Sequence, residues 1–358
     1  MNACVAKYAD YFSTFVFVMK RLLSFFLCLF LVWSCTSTGK QGPESTVPQE
    51  EEGLALANLS VINMREQADY SAELGTQALM GTPVKVLGHD RYWARVETPD
   101  GYKAWVNEMA IAPVDSAGFA DWKASRRVIV TSLYTSFKSV PRADADPVSD
   151  AVWGDVAEYV GEAGGWTQVQ LPDGREAWIL SCEVADFRAW ADSREALVGH
   201  DASETELQKA RELIVATARQ FIGVPYLWGG TSIKGVDCSG LSKTVYFLNG
   251  YVLLRNASQQ YKTGEPVDIS EGLDKLLPGD LVFFGREATA DKPERMTHVS
   301  IYMGDGRIIH SSQMVRISSL VEGEPDYYDR KPLRACRIIG TQDSGRDVLS
   351  VSNGNIYF

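Results

Sequence analysis

At 358 residues the chain is long enough for two or three domains, and 45% hydrophobic with 23% charged residues is an ordinary globular composition. Against 35 basic side chains stand 46 acidic ones, a net charge of −11. That sign disfavours nucleic acid, anionic membrane and nonspecific adhesion to an anionic polymer.

Residues 1–35 read as a leader. Lys20 and Arg21 precede an apolar run from Leu22 to Trp33, broken only by Ser24 and Cys28. The run is shorter than the ~20 residues of a spanning helix and has the length and flanks of a secretory signal core. Ser34-Cys35 closes it as in a bacterial lipoprotein signal, although Trp33 departs from the small residues usual there. Met19 directly precedes the basic pair and is the expected start. Cys35 is then the expected lipidated N-terminal residue; a short signal anchor with unmodified Cys35 is the alternative. Cys35-Thr36-Ser37-Thr38 lacks an acidic run, so the expected address is periplasmic, anchored by lipid to the outer membrane. Loss of the leader removes Cys4 and Cys28. Cys182, Cys238 and Cys336 remain in the body, three thiols that cannot all pair and whose spacing fits no zinc pattern. No disulfide framework, metal or other cofactor is expected.

Residues 36–53 are Ser, Thr, Gly, Pro, Gln and Glu with little apolar content, a flexible linker. An internal repeat follows. Gly88, Trp93, Val96, Pro99, Asp100, Gly101, Ala104 and Trp105 recur as Gly161, Trp166, Val169, Pro172, Asp173, Gly174, Ala177 and Trp178, at a constant offset of 73 with no gap. Each unit reads as short strands around a Pro-Asp-Gly hairpin turn. Two small all-β barrels are expected, at 54–115 and 125–186, and their pattern resembles bacterial SH3-like domains. The repeated Trp105 and Trp178 are expected in the barrel cores.

From Glu204 the period becomes helical, with Leu207, Ala210, Ile214, Ala218 and Phe221 on one stripe, Ser203 as N-cap and Gly223 as the stop. A third domain of mixed helix and strand is expected over 200–340. The polar tail, 341–358, is assigned nothing.

The chemistry gathers in that third domain. Asp237-Cys238-Ser239-Gly240 opens a helix after the glycine-rich Tyr226-Leu227-Trp228-Gly229-Gly230. A thiol at a helix start is expected to ionise more easily, and the same amides are candidates for an oxyanion hole. A thiolate nucleophile needs a base, and the chain has only four histidines. His89 falls in the first barrel and His200 in a linker; His298 and His310 flank one hairpin. A two-residue loop, Asp305-Gly306, would pair Gly304 with Arg307 and point the histidines to opposite faces. A three-residue loop, Gly304-Asp305-Gly306, would pair Met303 with Arg307 and set His310 opposite Ser300. Both histidines would then share a face as diagonal neighbours roughly 7–8 Å apart. The three-residue loop is therefore expected. In this reading His298 takes the Cys238 proton and His310 orients His298. A zinc site from the same three residues is a minor alternative.

Tyr-Leu-Trp-Gly-Gly, Asp-Cys-Ser-Gly, Pro278-Gly279-Asp280-Leu281-Val282-Phe283-Phe284 and the His-bearing hairpin together resemble the NlpC-type cysteine peptidases of bacterial cell-wall metabolism, over about 205–340. The resemblance implies an α+β protein: a papain-like cysteine peptidase domain behind two SH3-like barrels, with a Cys238, His298, His310 triad. The three-domain order resembles γ-D-glutamyl-L-diamino acid endopeptidases of the YkfC type. These cut L-Ala-γ-D-Glu from meso-diaminopimelate or Lys in stem peptides whose L-Ala amine is free. By that resemblance Glu73 and Tyr102 of the first barrel, with Asp237, hold the amine. Tyr226 donates a hydroxyl near the oxyanion, and Ser239, Asn256, Ala257 and Ser258 contact substrate. Many relatives carry Asp at the position of Asn256. Tyr102 is replaced by Arg175 in the second repeat, so the barrel does not need it. The implied partner is a muropeptide or peptidoglycan stem peptide, acted on by a monomer in cell-wall recycling. An endopeptidase on intact peptidoglycan, and a non-catalytic wall-binding module, are the alternatives.

Overall fold

A computed structural model describes residues 53–198, 202–345, 347–352 and 356–358. The leader, Cys35, most of the linker and His200 lie outside the described residues.

Strands β1 (Gly53–Ala57), β2 (Val61–Arg65), β3 (Leu74–Leu79), β4 (Pro83–Asp90), β5 (Trp93–Glu97), β6 (Lys103–Asn107) and β7 (Ile111–Val114) pair in the order β3-β2-β6-β5-β4-β1-β7. The pattern then repeats. Strands β8 (Arg127–Val130), β9 (Tyr134–Lys138), β10 (Pro147–Val152), β11 (Val156–Ala163), β12 (Trp166–Gln170), β13 (Glu176–Leu180) and β14 (Val184–Asp186) pair as β10-β9-β13-β12-β11-β8-β14. The bulge between Val86 and Gly88 recurs between Tyr159 and Gly161. A short helix follows each barrel, α1 (Ser116–Ala124) and α2 (Phe187–Glu195), capped by Asp115 and Asp186.

Strand alternation fills the first barrel with Ile62, Met64, Val84, Val96, Ala104 and Val106. The same alternation corrects one expectation. Trp105 lies between Ala104 and Val106, so its side chain points outward and is only half-buried, as is Trp178. Neither belongs to a barrel core; the buried indole of the first barrel is Trp93.

The barrels interlock. Met80, just past β3, is buried in the core of the second barrel with Val128, Val130 and Phe137. Its backbone N–H donates to the buried Asp155 carboxylate at 3.1 Å, which also accepts from Val152 at 2.8 Å. Trp153, just past β10, packs in turn on the third domain and stacks on Phe221.

The third domain opens with α3 (Glu204–Arg219), held at its start by a Ser203–Glu206 capping box. A small ribbon of β15 (Thr231–Ser232) and β16 (Gly235–Val236) leads into α4 (Cys238–Phe247). After β17 (Tyr251–Val252) and the single turn α5 (Ala257–Gln260) come β18 (Glu265–Pro266), β19 (Leu281–Arg286), β20 (Arg295–Gly304), β21 (Arg307–Ser312), β22 (Met314–Ser319) and β23 (Arg334–Arg337). They form an antiparallel sheet ordered β18-β23-β19-β20-β21-β22. Ile214, Phe221, Leu241, Val245, Phe283, Val299 and Ile309 fill the space between the helices and this sheet. The tail is not idle. Strand β24 (Leu349–Ser350) pairs with β17, Val348, Val351 and Tyr357 are buried, and Arg127 donates to the Tyr357 carbonyl at 2.7 Å. Its few apolar residues, spaced among polar ones, gave no periodic signal.

Candidate active site

Helix α4 starts where it does because Asp237 caps it, accepting from the Gly240 N–H at 2.7 Å. The first turn presses on the preceding loop: a Cβ on Gly240 would lie 1.9 Å from the Gly230 carbonyl, so the motif tolerates no side chain there. Cys238, partly exposed, is thereby held at the helix start. The backbone amides of Val299 on β20 and of Ser239 lie close enough to the sulfur to favour its ionised form. Val299 follows His298 on β20, the strand that packs against this helix, so the thiol and the first histidine belong to adjoining elements.

The histidines meet directly: His298 Nε2 and His310 Nδ1 are 2.8 Å apart. The loop that achieves this is not the one expected. Gly304 pairs with Arg307, so the turn has two residues, Asp305 and Gly306, both at positive φ. The extra residue is absorbed one step earlier, as a bulge between Tyr302 and Gly304. Beyond the bulge Tyr302 faces Ile308 and Ile301 faces Ile309, so His298 and His310 still share a face.

Five groups that were not among the expected site residues complete the surroundings. Ser318 Oγ lies 3.1 Å from His310 Nε2. The Tyr328 ring packs on His310 at 4.7 Å and on His298 at 5.7 Å, and Phe284 closes on both His298 and Tyr328. Arg255 is buried and forks onto both oxygens of Asp237, donating also to Ser239 Oγ at 3.0 Å. Glu66 accepts a 2.5 Å hydrogen bond from the Tyr102 hydroxyl.

Charge at the site departs from the expectation. Burial pushes the Cys238 thiol up to about 11, with the Asp237 carboxylate adding to it; backbone donors and Arg255 only partly compensate. A carboxylate as N-cap sits on the positive end of the helix and cancels its help. Burial also pushes His298 down to about 3 and His310 down to about 4, with Arg330 adding to both. Each group alone is therefore held neutral at pH 7, and any thiolate–imidazolium pair has to form as a pair.

The remaining expected residues divide. Tyr226 is half-buried and pushed up to about 12 by burial and by Cys238 and Asp237, so it borders the thiol. Tyr102 is raised by burial and by Glu66, and feels Arg255 and Glu73, so the first barrel reaches the same place. Glu73 is exposed nearby; the carboxylate bonded to Tyr102 is Glu66 instead. A Cβ on Gly75 would strike Glu66 Oε1 at 2.3 Å and the Tyr102 hydroxyl at 2.7 Å, which is why this pair can form. Asp237 accepts from Arg255, Gly229, Gly240 and Ser239 through its two oxygens. Ser239 is buried against it. Asn256 caps α5 with Gln259, Ala257 is buried and Ser258 is exposed. Among the described residues, no three His, Cys, Asp or Glu side chains gather to hold a metal.

Residues 223–334, which hold Cys238, His298 and His310, match the NlpC/P60 family, and 60–111 match the bacterial SH3 domain. The chain carries an NlpC/P60 peptidase domain. It is 28% identical over 257 residues to a gamma-D-glutamyl-L-lysine dipeptidyl-peptidase of Bacillus cereus, covering 70% of each chain. It is 27% identical to dipeptidyl-peptidase 6 of Lysinibacillus sphaericus, covering 76% of this chain and 94% of that one. The crystal structure of an NlpC/P60 family protein from Bacillus cereus superposes with a TM-score of 0.64 at 24% identity, over 80% of this chain and 99% of the other. That likeness extends through the barrels, so the NlpC/P60 domain and its β-rich N-terminal region share one known architecture.

Proposed function

We propose that this chain is a cysteine endopeptidase that cleaves the γ-D-Glu–diamino acid bond of cell-wall stem peptides with a free N-terminal L-Ala. The observation that carries the reading is the Glu66–Tyr102 pair, with Glu73 close by, which the first barrel sets in the field of Arg255 beside the Cys238 helix. An acidic wall across one end of a thiol cleft suits an ammonium and opposes an acylated amine, which has no charge. The two dipeptidyl-peptidase relatives support the same bond.

In this mechanism Cys238 attacks the γ-carbonyl carbon while His298 Nδ1 takes the thiol proton. His310, through its Nδ1, accepts from Nε2 of the His298 imidazolium. The oxyanion sits among the amides of the α4 start and the Tyr226 hydroxyl. His298 returns its proton to the leaving amine, and water then hydrolyses the thioester. The same proposal has the chain tethered by lipid at Cys35, which the mass of the mature N-terminal peptide checks.

The test is product analysis with L-Ala-γ-D-Glu-diaminopimelate and its N-acetyl form. The free amine is expected to yield L-Ala-γ-D-Glu and diaminopimelate, at least about 100-fold faster than the acetylated peptide, the discrimination of a desolvated charge contact. Equal rates on both remove the amine gate and leave an endopeptidase of intact wall; cleavage by Cys238→Ala removes the nucleophile.

A further inference from the structure

We propose that Ser318 is a positioning residue that sets the tautomer of the His310–His298 pair, and so decides whether His298 can accept the Cys238 proton. The inference deepens the reading above and rests on its assignment of Cys238 and His298.

Three polar groups stand in a row: His298 Nε2 to His310 Nδ1 at 2.8 Å, then His310 Nε2 to Ser318 Oγ at 3.1 Å. His310 and Ser318 are both buried, at 0% and 3% exposure, so water cannot replace either contact. The row admits two proton arrangements. In one, His298 carries its proton on Nε2 and donates to His310 Nδ1, while His310 donates from Nε2 to the Ser318 oxygen. His298 Nδ1 is then bare and can take a proton. In the other, every donor reverses: Ser318 donates to His310 Nε2, and His310 donates from Nδ1 to His298 Nε2. His298 then carries its proton on Nδ1, facing Cys238, and cannot act as a base.

The working arrangement needs an acceptor at the far end of the row, and Ser318 Oγ is that acceptor. It reaches His310 from β22, where Ser318 faces Ile308 while Arg316 faces His310. Among the described residues, Ser318 Oγ is the one hydrogen-bond partner recorded at His310 Nε2. Tyr328 meets the pair through its ring, Phe284 packs on His298 and Tyr328, and Arg316 and Arg330, the cations acting on His310, are donors only. Remove the Ser318 oxygen and the working arrangement leaves a buried N–H without a partner, rarer in proteins than a bare acceptor. The reversed arrangement then becomes the easier one. An orphaned donor costs about 1.4 kcal/mol or more, a tenfold shift of the tautomer ratio.

The experiment uses the full chain with Ser318→Ala, Ser318→Thr and Ser318→Cys, and His298→Ala as reference. Activity is measured as kcat and KM on the free-amine tripeptide, and imidazole tautomers by nitrogen-15 NMR of histidine-labelled protein. Ser318→Ala is expected to lower kcat about tenfold with KM unchanged, and to move the His298 proton from Nε2 to Nδ1. Ser318→Thr restores both; Ser318→Cys, similar in volume but a poor acceptor, falls between and stands in should the alanine variant not fold. An unchanged His298 tautomer in Ser318→Ala, or in Ser318→Cys, overturns the proposal whatever happens to kcat. Failure of the parent reading looks different: His298→Ala would stay active, while the tautomer shift needs no turnover to be seen.

Discussion

The two barrels are one design used twice, and the comparison separates what the fold needs from what the site needs. At the 73-residue offset, β2 to β6 of the first barrel superimpose in sequence on β9 to β13 of the second, residue for residue. The loop bond from the Glu66 N–H to the Glu73 carbonyl, 3.0 Å, recurs from Ser139 to Asp146 at 2.9 Å. Even the docking is serial: Met80 enters the second barrel, and its counterpart Trp153 stacks on the third domain. What differs is the wall toward Cys238. Glu66, Gly75 and Tyr102 of the first barrel are Ser139, Val148 and Arg175 in the second. Arg175 binds its own turn at Asp173 and the Val148 carbonyl. Duplication supplied a scaffold, and three positions, two side chains and one missing Cβ, set one copy apart.

The largest effect comes from a position both barrels keep, the aspartate of the Pro-Asp-Gly turn. Asp100 is buried and pairs with Lys243 on α4 at 2.6 Å. Asp173 lies in a partly exposed pair with Arg175 and also accepts from Asn58. Asp100→Ala leaves an ammonium buried without its partner, and is expected to cost about 3–5 kcal/mol in denaturant unfolding. Asp173→Ala is expected to cost under about 1 kcal/mol. Equal costs would mean that the first barrel is not clamped to the Cys238 helix through this turn.

Making the first barrel more like the second should next cost activity but little stability. Gly75→Val introduces the residue that the second barrel carries as Val148, where it packs on the barrel core. Here it drives Glu66 and Tyr102 apart. On the free-amine tripeptide kcat/KM is expected to fall about 100-fold, the loss of a charge-assisted contact near 2–3 kcal/mol. A variant that folds and keeps full rate would leave the acidic wall without a role. Tyr102→Phe is milder, removing one hydroxyl: about a tenfold rise in KM is expected. Arg175→Tyr, the mirror change, should leave KM untouched.

How much of this was legible follows from which features are local. The repeat, the Pro-Asp-Gly turns and the Ser203 cap are local signals, and the barrels and α3 were readable from them. The Cys238 helix was readable because Asp-Cys-Ser-Gly compresses its geometry into four residues. The hairpin was half-readable: its face was right and its loop wrong, since a bulge at Met303 and a longer loop each absorb one residue and leave the same pattern. Glu66 could not be read from its own surroundings, because its partner lies 36 residues away and the contact depends on a missing Cβ at Gly75. The one local trace of its role is the repeat itself, where Glu66 stands opposite Ser139 just as Tyr102 stands opposite Arg175. The thiol's charge could not be read from the helix start alone, because burial raises it most and the capping Asp237 carboxylate adds to that.

The smallest effect sharpens the contrast between the two dockings. Gln77 of the first barrel and its counterpart Asp150 both reach the β15–β16 ribbon, but by different physics. Gln77 accepts from the buried Thr231 N–H at 2.9 Å, a neutral contact. Asp150 pairs with Lys234 at 2.5 Å and accepts from Ser60 at 2.7 Å, with about a third of each charged side chain exposed. Burial alone would raise the Asp150 carboxyl, but Lys234 and Ser60 outweigh it and hold it below the ordinary 3.8. A carboxyl lowered on folding stabilises the fold above its unfolded value, and that stability fades as pH falls through the folded value. The link should therefore be whole at pH 5 and above and weaken below about pH 4. Solvent and salt screen it, so Asp150→Asn is expected to cost under about 1 kcal/mol, and less still in 1 M salt. Gln77→Ala should show neither dependence. A salt-insensitive Asp150→Asn would mean that the second barrel is held to the NlpC/P60 domain as tightly as the first.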